Sequence, residues 1–301
     1  MTNAIDPTAI DQKAEPPSPD TAQPFRLGCV SYLNTLPLIE GLAKLEGLRL
    51  TLTAPSRLID LLLADEIDMG LVSIIDYQRS PESLVLLPAG MIGCDGPTLT
   101  VRLFSSRPID QIAAVHADAD SHTSVALLRI IMAERAGTRP QIIDFDADAH
   151  RAAHAQDAAL PWPQAVLLIG DKVVTDSPPA ALYPHQLDLG EAWKQLTGLP
   201  FVYAMWMCRQ STLHADSQRI ALIAAMLDRQ RRHNQMRREW IADTRGPVRG
   251  WTPQAARHYL GDLLRFDVTS EHRAGVERFF DLAHHHGLIP TRKPTLWTDT
   301  L

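Results

Sequence analysis

The chain has 301 residues, a length at which one hydrophobic core commonly divides into two. Its formal net charge is -6 and 45% of its residues are apolar, so it has the composition of a globular protein and no basic excess for nucleic acid. The three cysteines, Cys29, Cys94 and Cys208, are odd in number and widely spaced, which predicts reduced thiols and excludes a disulfide framework.

The N-terminal segment, residues 1–24, is rich in Pro, Asp, Ala and Thr. It lacks the basic start and apolar stretch of a secretory signal, so we expect a disordered tail. No later segment has the uninterrupted apolar length that spans a bilayer. These features together predict a cytoplasmic protein with no membrane partner.

The ordered part opens with an apolar run at residues 25–30, which is typical of a buried strand. A Thr-Leu-Pro segment then marks a helix start. A strand pattern at 48–53, a helical stripe at 55–64 and a strand at 69–72 complete a β-α-β-α-β series. Such alternation indicates a parallel sheet whose strand ends share the edge where open α/β sheets bind ligands.

A second α/β series follows an extended run at residues 98–104, and another extended run at 201–207 leads into C-terminal helices. These two runs are suited to carry the chain between domains. We therefore expect a two-domain α/β protein that closes around its ligand by hinge motion. The expected parts are a tail at 1–24, a first domain of 25–104 with 201–301, and a second domain of 105–200.

Hydroxyl-rich turns follow several predicted strands. They are Ser31-Tyr32-Leu33-Asn34-Thr35, then Ser73, then Ser105 with Ser106, then Asp120-Ser121-His122-Thr123-Ser124. Each turn taken alone is explained equally well by ordinary helix capping. Because the turns recur in both halves of the chain, and because N–H groups at helix starts attract anions, they predict a cleft for a carboxylate or hydroxyl ligand.

The remaining polar candidates give weaker signals. Asp171 follows the strand at 165–169, where it either contacts a substrate hydroxyl or caps the next turn. His150 and His154 stand four residues apart, but no Glu completes a metal-binding pattern. The sequence has no Walker loop, no Gly-x-Gly-x-x-Gly element and no nucleophile elbow. These residues favour neither a nucleotide site nor a metal site.

The turn after the first strand carries a family resemblance. Ser31-Tyr32-Leu33-Asn34-Thr35-Leu36-Pro37-Leu38 resembles the opening signature of the chorismate dehydratases of the futalosine route to menaquinone. The resemblance extends from about Arg26 to the C-terminus. Further matching segments are Gly70-Leu71-Val72-Ser73, Leu103-Phe104-Ser105, Ser121-His122-Thr123-Ser124-Val125-Ala126-Leu127-Leu128, Leu168-Ile169-Gly170-Asp171, Asp188-Leu189-Gly190-Glu191-Ala192-Trp193-Lys194 and Thr197-Gly198-Leu199-Pro200-Phe201-Val202-Tyr203-Ala204.

The resemblance implies a periplasmic-binding-protein-like fold of type II, without export and with an interdomain cleft. It implies loss of water from chorismate, giving 3-[(1-carboxyvinyl)oxy]benzoate, and no cofactor. The polar turns contain few strong bases, so the substrate's own enolpyruvyl carboxylate is a candidate for taking the proton. We expect Asn34 to orient the reacting centre and Ser105 or Ser106 to contact the leaving hydroxyl or a carboxylate. The other expected substrate contacts are Ser31, Tyr32, Thr35, Ser73, Ser121, His122, Thr123, Ser124 and Asp171.

The chain departs from the family at one turn. The family usually has Ser-Ser-Arg-Thr-Ser where this chain has Asp120-Ser121-His122-Thr123-Ser124, so His122 stands in place of an Arg. This histidine keeps open a second enzyme of the pathway, which makes 1,4-dihydroxy-6-naphthoate and would need a base, commonly His. A non-catalytic binding or sensor protein on the same scaffold is the other alternative.

Overall fold

The structure, a computed structural model, describes residues 23–118, 120–156 and 160–298. Almost all of the expected N-terminal tail, 1–24, lies outside the described residues. The strands are β1 (Phe25–Cys29), β2 (Leu48–Leu52), β3 (Met69–Ser73), β4 (Leu84–Cys94), β5 (Val101–Ser105), β6 (Ala114–Asp118), β7 (Gln141–Phe145), β8 (Ala165–Ile169), β9 (His185–Asp188), β10 (Phe201–Arg209) and β11 (Leu264–Arg265). The helices are α1 (Leu36–Ile39), α2 (Leu58–Leu63), α3 (Ile74–Arg79), α4 (His122–Ile131), α5 (Ala147–Gln156), α6 (Lys172–Thr175), α7 (Leu189–Thr197), α8 (Gln210–Ala215), α9 (Ser217–Gln235), α10 (Arg238–Arg245), α11 (Pro253–His258) and α12 (Ser270–His285).

A six-stranded sheet has the order β11-β4-β10-β3-β1-β2. β1 runs parallel to β2 and β3, while β10 runs antiparallel to β3 and β4. Every residue of β3 is buried, as expected for a central strand covered on both faces. Ser73 at the end of β3 pairs with Ala204 in the first half of β10, so polar and aromatic residues from distant parts of the chain meet at this edge.

A five-stranded sheet has the order β7-β6-β8-β5-β9. β6 runs parallel to β7 and β8, whereas β5 runs antiparallel to β8 and β9. Val101 therefore pairs with Ile169 at one edge of this sheet, and Ser105 pairs with Ala165 at the other. The start of β5, and not its end, lies beside the carboxyl ends of β6 and β8.

We call the part built on the six-stranded sheet the first domain and the part built on the five-stranded sheet the second domain. The predicted α/β class with two units is confirmed by the two helix-covered sheets. The predicted boundary at residue 104 falls inside β5, all of which belongs to the five-stranded sheet. We propose instead that the chain first crosses at residues 95–100 and returns at residues 198–200, before β10.

The described residues contain no helix with both the length and the apolar content needed to cross a bilayer. Cys29, Cys94 and Cys208 are free thiols buried in the interior. Burial raises the pKa of each thiol to about 12, so these cysteines are packing residues and not nucleophiles.

Candidate active site

A cleft lies between the two sheet edges described above. Both domains supply its walls. The cleft is lined by Val30, Tyr32, Asn34, Pro55, Leu71, Ser73, Ile92, Thr98, Thr100, Val101, Ser121, Thr123, Ser124, Ile169, Gly170, Tyr203, Ala204, Tyr259 and Leu264.

The described residues that line the cleft include no charged side chain. Their polar groups are the Asn34 amide and a set of hydroxyls. Burial raises the pKa of Tyr203 and of Tyr259, so both hydroxyls stay protonated and act as hydrogen-bond donors. The cleft therefore offers fixed dipoles to an anion and no side chain that acts as a base near neutral pH.

Asn34 is the only residue of the turn after β1 that presents an amide to the cleft. Its Oδ1 atom is buried and has no hydrogen-bond partner among the described residues. By contrast, the Thr35 hydroxyl is fully buried and donates within its own turn, to the carbonyl of Tyr32 at 2.8 Å or of Val30 at 3.0 Å. Ser31 is exposed and does not line the cleft. In this turn Thr35 therefore stabilises the backbone, whereas Asn34 faces the cleft.

Two tyrosines, Tyr203 and Tyr259, and two threonines, Thr98 and Thr100, complete the cleft, and local sequence patterns did not predict them. The hydroxyls of Thr100 and Tyr259 lie 2.6 Å apart, and Asn34 is near enough to influence the pKa of Tyr259. The buried Tyr203 hydroxyl makes no hydrogen bond of ordinary geometry with a described residue. Tyr203 could have been suspected from the sequence, because it carries a hydroxyl within the apolar run of β10. Tyr259 lies in an ordinary helical pattern that does not indicate a site.

The second domain presents the start of α4 to the cleft. The Ser121 hydroxyl caps this helix by accepting from the Ser124 N–H at 3.2 Å. The Thr123 hydroxyl accepts from the Ile75 N–H of the first domain at 3.4 Å. Ser73 faces this helix start from the end of β3 and also lines the cleft. Helix capping and ligand binding are therefore compatible roles for the same turn, because a helix start retains N–H groups without helical partners.

Asp171 and His122 were expected to contact substrate, but neither lines the cleft. The Asp171 carboxylate accepts from the Leu33 N–H at 3.2 Å and from the Trp251 indole N–H at 2.9 Å, and burial raises its pKa. The Trp251 ring stacks on Tyr259 with 4.9 Å between ring centroids. Asp171 thus ties the second domain to the first-domain wall that carries Tyr259.

Ser105 and Ser106 lie at the opposite end of β5 from the cleft. The Ser105 hydroxyl accepts from the Arg107 N–H at 3.0 Å, and the Ser106 hydroxyl donates to the Gln164 carbonyl at 3.2 Å. The expected contact with the ligand assumed that β5 ends at the cleft. Because β5 is antiparallel to β8, its first residue, Val101, lines the cleft in their place.

Tyr32 forms a link across the mouth of the cleft. Its hydroxyl donates to Asp120 at 3.5 Å, and Asp120 forms an ion pair with Lys172 at 3.4 Å. Lys172 is buried and also pairs with Asp118 at 2.8 Å. Burial is the largest single effect and disfavours the lysine charge, but Asp118, Tyr32 and Asp120 together outweigh it and raise the pKa of Lys172. Asp120, which departs from the family pattern, therefore shares one buried cation of its own domain with Asp118 and Asp148.

Gly170 supports this link, because the Tyr32 ring rests against its backbone. Its φ is +66°, and an added Cβ would lie 3.0 Å from the ring. We expect Gly170→Ala to lower the free energy of unfolding by about 2–3 kcal/mol, of which about 1–2 kcal/mol comes from the backbone conformation. Gly137→Ala is a matched control, because Gly137 has φ +63° and open space around it. Urea denaturation would measure the free energy of unfolding of both variants. An equal loss in the two would contradict a contribution from the contact with the Tyr32 ring.

One cluster of possible metal ligands occurs among the described residues, and it lies outside the cleft. It consists of Glu134, His285 and His286, with 2.7 Å between the His286 and Glu134 side chains. Arg129 and Arg139 line the adjoining groove with His286, and their positive charges oppose a cation there. The described cleft residues themselves include no Cys, His, Asp or Glu that would ligate a metal.

Two α/β domains around a neutral, hydroxyl-lined cleft have the architecture of the periplasmic binding proteins. The chain belongs to the menaquinone biosynthesis family, whose model matches residues 25–285. It is 31% identical to the chorismate dehydratase of Thermus thermophilus over 271 residues, which cover 85% of this chain and 94% of that one.

Solved structures of low sequence identity share the fold. The alkanesulfonate-binding protein SsuA of Xanthomonas axonopodis pv. citri has a TM-score of 0.65 and 16% identity, covering 93% of this chain and 96% of that one. The Candida albicans CA3427 gene product, described as having the generic periplasmic binding protein fold, has a TM-score of 0.63 and 12% identity, covering 90% and 92%. The binding-protein-like fold predicted from the sequence is thereby confirmed.

Proposed function

We propose that the protein is a chorismate dehydratase, a cytoplasmic hydro-lyase of the futalosine route to menaquinone. The observation that carries this proposal is the cleft itself, a neutral, hydroxyl-lined space in which the Asn34 Oδ1 atom is buried without a described partner. Buried polar groups in native proteins are nearly always paired, so this atom is available to a polar ligand between the domains. The identity with the Thermus thermophilus chorismate dehydratase supports chorismate as that ligand.

The reaction removes one ring proton and the neighbouring hydroxyl from chorismate. The C–H bond beside the enolpyruvyl ether breaks first, and the ring carboxylate delocalises the carbanion. The C–O bond to the hydroxyl then breaks, the hydroxyl takes up the proton removed from the ring and leaves as water, and the ring becomes aromatic as 3-[(1-carboxyvinyl)oxy]benzoate. No oxidant or reductant is consumed, so the protein has only to lower a barrier.

The cleft favours proton transfer to the substrate's own enolpyruvyl carboxylate. The described lining residues contain no carboxylate, imidazole or amine that would take the proton. Asn34, Thr100 and Tyr259 form a polar group that orients the reacting centre, and the start of α4 binds a carboxylate. The second pathway enzyme is less well supported, because His122 does not line the cleft and is engaged by Asp76.

Incubation of the purified, tag-free protein with chorismate tests the proposal. Chorismate should disappear with equimolar appearance of 3-[(1-carboxyvinyl)oxy]benzoate, followed by liquid chromatography with absorbance detection. A reaction without protein measures the spontaneous decay of chorismate. Binding of chorismate without product would contradict the enzyme proposal and support a non-catalytic sensor. Absence of both binding and product would show that chorismate is not the ligand.

A further inference from the structure

A histidine of the second domain contacts a buried carboxylate of the first domain beside the cleft. His122 is the first residue of α4, and its Nδ1 atom lies 2.9 Å from each carboxylate oxygen of Asp76 in α3. Ser121 and Thr123, which flank His122, line the cleft, and so does Ser73, which precedes α3. The contact therefore joins the start of α4 in the second domain to α3 in the first domain, next to the polar residues that line the cleft.

The Asp76 carboxylate depends on this contact. Asp76 is 3% exposed, and within the described ranges His122 is the residue that hydrogen-bonds its side chain. A buried carboxylate is stabilised by positive charge nearby. Arg79 attracts Asp76 electrostatically, and a charged imidazole adds to this attraction as well as supplying the hydrogen bond. The His122 side chain is 35% exposed, so it exchanges protons freely with solvent.

We propose that protonated His122 holds the cleft walls together through Asp76, which makes it a positioning residue and makes the closed cleft less stable at alkaline pH. The positioning role rests on the proposed function, whereas the effect on closure does not. A contact across two domains that close by hinge motion is formed only in the closed state, so its strength biases that state.

The charges around the imidazole set the direction of the pH effect. The hydrogen bond that His122 donates to Asp76 raises the pKa of His122 above its ordinary 6.5, against the opposing effect of burial. Asp60 adds to the increase and Arg79 opposes it. Closure therefore takes up a proton. Its stabilising contribution is complete below the ordinary pKa and is lost as the pH rises through the raised pKa of the closed state.

Three variants separate charge from hydrogen bonding. His122→Arg carries a permanent charge, because a guanidinium does not titrate in this range, and His122→Gln retains a donor without a charge. His258→Gln is the matched control, because His258 contacts Asp262 at 2.8 Å within one exposed helical turn and far along the chain from the cleft residues of α3 and α4. Each variant is first checked for folding by circular dichroism.

Two measurements test closure without relying on turnover. Small-angle scattering of the ligand-free protein should give a smaller radius of gyration at pH 6 than at pH 9 for the wild type and for His258→Gln. His122→Arg should stay compact at both values, and His122→Gln should be expanded at both. Titration of histidine-labelled wild type by NMR, with the His122 signal assigned from its loss in His122→Arg, should show His122 titrating above pH 6.5.

Chorismate turnover supplies the third readout. The KM for chorismate should rise at alkaline pH in the wild type but not in His122→Arg, and should be raised roughly tenfold at pH 6 in His122→Gln. The same pH dependence in wild type and His122→Arg, or titration of His122 at or below pH 6.5, would overturn the proposal. A protein that shows the scattering and titration results without dehydrating chorismate would refute the proposed function and leave the closure mechanism intact.

Discussion

Asn34→Ala is expected to lower kcat for chorismate dehydration by about 10²–10³-fold, the usual effect of removing one oriented hydrogen-bonding group from an active site. The physical reason is the position of the Asn34 amide beside Tyr259, with its Oδ1 atom free of a described partner, in a cleft whose described lining has no charge to compensate for its loss. Steady-state kinetics at saturating chorismate would measure the effect. The change should appear mainly in kcat, because the amide acts on charge that develops during the reaction.

Asn34→Asp is the informative companion variant. It keeps the shape of the side chain but replaces two N–H donors with an acceptor that carries a negative charge. Repulsion of a dianionic substrate should then raise KM as well as lower kcat. Rates near those of the wild type in both variants would remove Asn34 from the mechanism.

Asp188→Ala is expected to lower the free energy of unfolding by about 3–5 kcal/mol. Asp188 is 5% exposed and accepts hydrogen bonds from the Thr98 and Leu99 N–H groups, at 3.0 Å and 2.7 Å. It also caps α7 by accepting from the Gly190 and Glu191 N–H groups, at 3.0 Å and 3.2 Å. Removing the carboxylate leaves these buried and partly buried donors without a partner.

The loss should also reach the cleft. Leu99 has φ +65°, a conformation that a leucine rarely adopts, and its N–H is held by Asp188. Thr98 and Thr100, on either side of Leu99, line the cleft. Release of this segment should therefore raise the KM for chorismate in addition to the loss of stability.

Asp146→Ala provides the control, because Asp146 is exposed and accepts one N–H, that of Ala149, at 2.8 Å. Its removal should cost about 1 kcal/mol. Urea denaturation at constant pH compares the two variants. Similar losses would show that the buried hydrogen bonds of Asp188 add nothing beyond helix capping.

The parts of the fold that depend on local pattern were predictable. The apolar run of β1, the helix start at Pro37 and the continuous apolar run of β3 are readable within a few residues of chain, and the structure confirms them, although Thr35 gives that helix no side-chain cap. The helical stripe of α4 has the same character. Local pattern also placed Asn34, Ser73 and the start of α4 at strand edges, where the cleft is found.

The direction of β5 was not predictable in this way. Successive side chains of β5 point to opposite faces of the sheet, as in any strand, and this says nothing about the direction of the strand. Only the pairing of Ser105 with Ala165 and His185, far along the chain, determines which end of β5 faces the cleft. This explains why Ser105 was assigned to the cleft and Val101 was not. Tyr203 and Tyr259 were missed for a related reason, because long-range packing and not spacing brings them to Asn34.

The neutral lining of the cleft has a consequence for how ligands arrive. Electrostatic steering accelerates association when a site concentrates charge opposite to that of its ligand. Here the chain carries a net charge of -6, and the described cleft residues present only dipoles, whose fields fall off quickly with distance. An anion therefore approaches without long-range attraction, and capture depends on short-range hydrogen bonds formed after arrival. Discrimination among anions of similar size then comes from the positions of hydroxyls and one amide, and the charge number of the ligand contributes little.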